Sequence, residues 1–222
     1  MTTSKAITFC VGIGVAAGCV TSVAVAEEPH FKWSRQTLAL IASGNKEQGA
    51  EVADKHRCQK CHGDTGVSDE SDTPSIAGQI AAYQFKQLMD YKNGTRNERQ
   101  MEKIARKLTP EDMADLAAFY AAQTPATPAG VTAAPQMVTA GDMGRLLLPC
   151  DVCHGKQGEG LGAEVPALAG QSNEYLMTTL TEFKEGERQN DHYGRMRYIA
   201  KQLTDEEIEA LVAYYAAPVP KE

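Results

Sequence analysis

The feature that most constrains this chain is a pentapeptide that occurs twice, Cys58-Gln59-Lys60-Cys61-His62 and Cys150-Asp151-Val152-Cys153-His154. Both read C-x-x-C-H. Two thiols three residues apart on one helical turn can reach the two vinyl groups of a single porphyrin as thioethers, and the adjacent histidine then faces the iron. A thioredoxin-like dithiol or half of a zinc site would use the same cysteine spacing. Neither calls for a histidine directly after the second cysteine, and neither explains the duplication. Cys58, Cys61, Cys150 and Cys153 are therefore expected to attach two haem c groups, with His62 and His154 as proximal iron ligands.

The duplication extends well beyond the pentapeptide. A shift of 92 residues aligns fourteen identities over 58–96, among them Gly66, Pro74, Gly78, Gln79, Tyr83 and Arg96 with Gly158, Pro166, Gly170, Gln171, Tyr175 and Arg188. Past this point the shift becomes 95, so the second copy carries a three-residue insertion before Met196, the counterpart of Met101. Between the copies runs a Pro/Ala/Thr-rich stretch without periodicity, read as a linker over 124–140. The expected architecture is all-α, with one domain over 27–123 and a second over 141–222. Thr109-Pro110-Glu111-Asp112 and Thr204-Asp205-Glu206-Glu207 are capping boxes that open amphipathic helices, and further helices are expected over 81–91 and 174–183. Residues 63–73 and 155–163 read as loops.

Residues 1–26 hold a single charge, Lys5, and end in Ala24-Val25-Ala26, the pattern of a cleaved signal peptide. Two other readings of this leader stay open: a lipobox at Val15-Ala16-Ala17-Gly18-Cys19, which would lipidate Cys19, and a retained helix. All three export the domains. Beyond the leader there are 21 basic against 29 acidic residues, a net charge of −8, which excludes a nucleic-acid binder. The excess is uneven, with 13 basic against 15 acidic residues over 27–130 and 8 against 14 over 131–222. The two halves therefore present different fields to partners.

The distal iron ligand is chosen by register. Met89 aligns with Thr181 and Met113 with Ile208, whereas Met101 aligns with Met196, so Met101 and Met196 are the expected axial ligands. His192, inside the insertion, and His56, which aligns with Leu148, are the rivals, and neither has a counterpart in the other copy.

With C-x-x-C-H, Pro74-Ser75-Ile76-Ala77-Gly78-Gln79, Tyr83, Tyr91-Lys92-Asn93-Gly94-Thr95-Arg96, Met101 and Leu108-Thr109-Pro110-Glu111-Asp112 all in place, the chain resembles the cytochrome c4 family of di-haem class I cytochromes. The resemblance implies two tandem class I cytochrome domains packed face to face, with His/Met-ligated haems whose propionate edges lie near one another. It further implies a bond from each proximal imidazole to the carbonyl of Pro74 or Pro166, and Tyr83 and Tyr175 near the propionates at the domain interface. The function it implies is electron transfer in the bacterial periplasm rather than catalysis. The expected donor is a quinol–cytochrome c oxidoreductase or a periplasmic dehydrogenase, and the expected acceptor a terminal oxidase, with membrane attachment left open. Two alternatives are an electron-accepting subunit of a sulfur-compound dehydrogenase and a di-haem enzyme with one labile axial site. Residues 27–43, including Trp33, extend beyond what the family leads one to expect.

Overall fold

Local capping chemistry fixes the last helix of each repeat. Thr109 accepts from the Asp112 amide while Asp112 accepts from the Thr109 amide, and Thr204 and Glu207 do the same. These boxes satisfy amides that a helix start leaves unpaired. The computed structural model describes residues 31–127 and 133–216. The leader and its three readings lie outside the described residues.

The first domain is built from α1 (Arg35–Ala42), α2 (Lys46–His56), α3 (Gln59–His62), α4 (Ala81–Asn93), α5 (Arg99–Ala105) and α6 (Pro110–Ala121). The second follows with α7 (Gln136–Thr139), α8 (Cys150–His154), α9 (Asn173–Glu185), a 3-10 turn over His192–Gly194, α10 (Arg195–Gln202) and α11 (Asp205–Tyr215). Each domain has its own core. Phe85, Leu108, Met113, Leu116 and Tyr120 centre the first, and Leu147, Leu203, Ile208, Val212 and Tyr215 the second. The apolar faces read at i, i+3, i+4, i+7 on α6 and α11 are the buried ones. No helix among the described residues is long and apolar enough to cross a membrane.

Part of the stretch read as a linker over 124–140 is helical. Gln136–Thr139 form α7, and Met137 and Val138 are buried in the second core, so these residues belong with the second domain. Their apolar side chains sit in a polar, proline-flanked stretch too short to show a period. The described part of the N-terminal extension, residues 31–43, contains α1. Ser34 caps α1, which packs on α4 and α6.

The repeats differ at α2. This helix lies so close to α6 that a Cβ at Gly49 would stand 2.1 Å from the Asp115 carbonyl oxygen. In the second domain the equivalent stretch ends in a turn closed by the Asp142–Leu147 bridge. Arg145 pins this turn to Asp142 at 2.7 Å and to Glu207 at 2.5 Å. Gly49→Ala should therefore force α2 off α6 at a cost of about 1–3 kcal/mol, the usual range for overpacking. Thermal denaturation of the haem-loaded protein checks this, and an unchanged midpoint would contradict the close approach.

Candidate functional site

The two C-x-x-C-H motifs fold as single helical turns, α3 following Cys58 and α8 opening at Cys150, each ended by a glycine. His62 and His154 are both 8% exposed. Their Nδ1 atoms lie 2.8 and 2.9 Å from the carbonyl oxygens of Pro74 and Pro166. A carbonyl can only accept, so Nδ1 carries the proton and the lone pair is on Nε2. Burial pushes both imidazoles below the usual histidine range against the opposing effect of the proline carbonyls, which keeps the rings neutral. Neutral imidazole with a free Nε2 is the form that ligates iron.

The loops that carry these prolines are held by paired glycines. The Gly66 carbonyl accepts from Ile76 and Ala77, and the Gly158 carbonyl from Leu168 and Ala169. Both glycines have positive φ, 84° and 73°, and a Cβ at either would stand 2.7 Å from the ring of Tyr120 or Tyr215.

One continuous cavity of about 1160 Å³ opens between the domains. Cys58, Cys61, His62 and Met101 line it from the first domain, and Cys150, Cys153, His154 and Met196 from the second. Met89 packs against the first core and Met113 is fully buried there. His56 and His192 also line the cavity. Burial raises the Cys58 thiol and lifts that of Cys150 to about 11, the opposite of what a redox-active dithiol requires. Among the described residues no three His, Cys, Asp or Glu side chains converge as a zinc site needs.

The domains meet by exchanging equivalent contacts. Gln79 Nε2 donates to the Ala167 carbonyl at 3.0 Å and Gln79 Oε1 accepts from the Ala167 amide at 2.9 Å. Gln171 makes the same pair with Ser75, at 2.9 and 2.8 Å. Gln79 and Gln171 are repeat partners, as are Ser75 and Ala167, so the seam is related by a local two-fold axis. Arg96 donates to the Tyr175 hydroxyl at 2.8 Å and lies over the Tyr91 ring. Its partner Arg188 donates to the Tyr83 hydroxyl at 3.1 Å and lies over Phe183. A buried group at the seam has no mirror image. Lys86, paired with Asp90 at 2.6 Å, donates to the Asn190 carbonyl, and Asn190 donates back to Asp90.

These residues suit a pair of haems. Arg188 is 7% exposed, Arg96 is partly buried, and among the described residues neither forms a salt bridge. Buried cations call for counter-charge, which haem propionates at this seam would supply. The field there is positive: burial opposes ionisation of the Tyr175 hydroxyl, yet Arg96 and Arg188 hold it below the usual tyrosine range. Sequence reasoning aligned Gln79, Gln171, Arg96 and Arg188 as repeat identities without assigning them a role. Their identity in both copies was the available signal.

The Cytochrome c family profile matches the chain twice, over residues 46–122 and 145–216. A thiosulfate dehydrogenase electron acceptor of Stutzerimonas stutzeri (strain A1501) is 35% identical over 83% of this chain and 90% of its own length. A cytochrome c4 of Azotobacter vinelandii is 37% identical over 71% of this chain and 82% of its own length. The crystal structure of reduced recombinant cytochrome c4 from Pseudomonas stutzeri superposes with a TM-score of 0.71 at 30% identity, covering 78% of this chain and 98% of that one.

Gln79→Ala and Gln171→Ala each leave one amide and one carbonyl of the seam unpaired. Each should lower stability by about 1–3 kcal/mol, and by similar amounts. Urea unfolding of the haem-loaded protein measures both, and a loss in one variant alone would contradict the two-fold seam.

Proposed function

Because the chain belongs to the cytochrome c4 family of di-haem electron-transfer cytochromes, with two covalently bound haem c groups, we propose that Cys58 and Cys61 attach one haem and Cys150 and Cys153 the other. His62 with Met101 and His154 with Met196 are then the axial pairs. The observation that carries this reading is the shared cavity, lined from each domain by a buried, proline-locked imidazole and one methionine of matching register. Bound there, each haem supplies a one-electron couple whose potential methionine ligation raises. The carbonyls of Pro74 and Pro166 fix the ring orientation and tautomer of the two histidines. Iron held between a histidine and a methionine of this chain would leave no coordination site for a substrate, which supports passing electrons without catalysing bond changes.

Redox proteins are the partners, and the two domains offer them different faces. Met143, Leu146, Leu148 and Val152 are 66, 70, 58 and 56% exposed beside the second attachment motif. The matching positions of the first domain are Glu51, Asp54, His56 and Lys60. Leu146 stands out further with a φ of 58°, a conformation that leucine rarely adopts. This contrast supports two ports, an apolar one on the acidic second domain and a polar one on the first. The likeness to a thiosulfate dehydrogenase electron acceptor supports a dehydrogenase as donor. The leader supports operation in the periplasm.

Met101→Ala and Met196→Ala should each remove about half of the near-infrared sulfur-to-iron charge-transfer band of the oxidised protein, because each removes one of two thioether ligands. Met89→Ala and Met113→Ala should leave the band whole. The reverse pattern would overturn the axial assignment.

A further inference from the structure

Two features set this chain apart from a simple duplication, the N-terminal extension and the insertion before Met196, and the fold brings them together. The Trp33 indole N–H donates to Glu164 Oε1. The same carboxylate oxygen lies 3.6 Å from His192 Nδ1. Glu164 and His192 are 17 and 27% exposed. Phe31 anchors this segment, with its ring 4.8 Å from that of Trp33 and 6.2 Å from that of Phe85 in the first core. Phe31 and His192 also line one small void together with Lys86, Asp90, Thr95 and Asn190, directly over the unmirrored part of the seam.

The segments leading into Met101 and Met196 are held in different ways. Ahead of Met101 the helix is capped from within, as Glu98 accepts from the amides of Gln100 and Met101 at 2.9 and 2.5 Å. Ahead of Met196 the chain makes two consecutive left-handed residues, Tyr193 at φ 56° and Gly194 at φ 65°, and Gly194 gives α10 no side-chain cap. Left-handed tyrosine is strained and persists only where its surroundings hold it. One restraint is local: Asp191 accepts from the Arg197 amide at 3.0 Å and from its guanidinium at 2.7 Å. The other comes from the first domain's extension, where Trp33 holds Glu164 of the second domain beside His192, at contact distance rather than in a hydrogen bond. Phe31 lines the void that His192 also lines.

We propose that residues 31–34 are a positioning strap by which the first domain holds the Met196 segment of the second and so tunes the second haem alone. Trp33 and Glu164 are positioning residues, since neither reaches the iron. The effect on the haem rests on the reading of Met196 as its axial ligand; the effect on the segment does not. The strap lies ahead of residue 46, where the match to the Cytochrome c family profile begins.

The test is Trp33→Phe in the full haem-loaded protein, which keeps the ring against Phe31 and removes the N–H. Losing one hydrogen bond of roughly 1 kcal/mol should make the amides of 189–197 exchange with deuterium about five-fold faster. Amides of 97–103 should exchange as in wild type. On heating, the half of the near-infrared band that belongs to Met196 should fade at a lower temperature than the half that belongs to Met101. Glu164→Ala should reproduce both effects. Wild-type exchange over 189–197 in both variants, or equal acceleration in both segments, would overturn the strap. Should Met196→Ala leave the band whole, the ligand assignment falls, while the exchange result still decides the strap.

Discussion

The two-fold exchange of glutamine side chains for backbone groups is the interaction on which the rest of this structure depends. Gln79 and Gln171 each satisfy an amide and a carbonyl on the opposite domain, immediately after the prolines that orient His154 and His62. Each domain thus stabilises the loop that holds the other's proximal imidazole. The positions of the two imidazoles are coupled by four hydrogen bonds rather than by a flexible linker, and the two attachment motifs open on one cavity. A hydrogen-bonded seam of this kind fixes register as well as adding stability. The arginine–tyrosine exchange beside it adds positive charge at the same seam.

On this symmetric frame the chain lays its asymmetries. The buried Lys86–Asp90–Asn190 group has no counterpart, since Thr178 and Glu182 stand at the matching places of the second domain. A buried ion pair is weak evidence for added stability, but its geometric demands select one docking of the domains. The Trp33–Glu164–His192 contact and the apolar ring around Cys150 are asymmetric in the same sense. Together they give the two attachment motifs different surroundings.

What could be read from the sequence was what repeats or what has a strict local pattern. The C-x-x-C-H pairs, the capping boxes at Thr109 and Thr204 and the helices from residues 81 and 174 all depend on near neighbours. Met101 and Met196 were singled out by alignment of the two copies. The helix over Gln136–Thr139 escaped because four residues carry no usable period. The helices α1, α2, α5 and α10 escaped because their apolar faces are short or partly supplied by the neighbouring helix. The roles of Gln79, Arg96 and Trp33 depend on contacts 79 to 131 residues away in the chain, and no local pattern encodes such distances.

The central claim is that the seam makes the two haems one electron path within a single chain. In the Met101→Ala protein the two haems should have distinct spectra, and the second, with Met196 as its proposed ligand, should hold the higher potential. An electron delivered to the first haem by a flash-excited reductant should then move to the second with a first-order rate that does not change with protein concentration. A transfer rate that rises in proportion to protein concentration, or no transfer at all, would contradict the account.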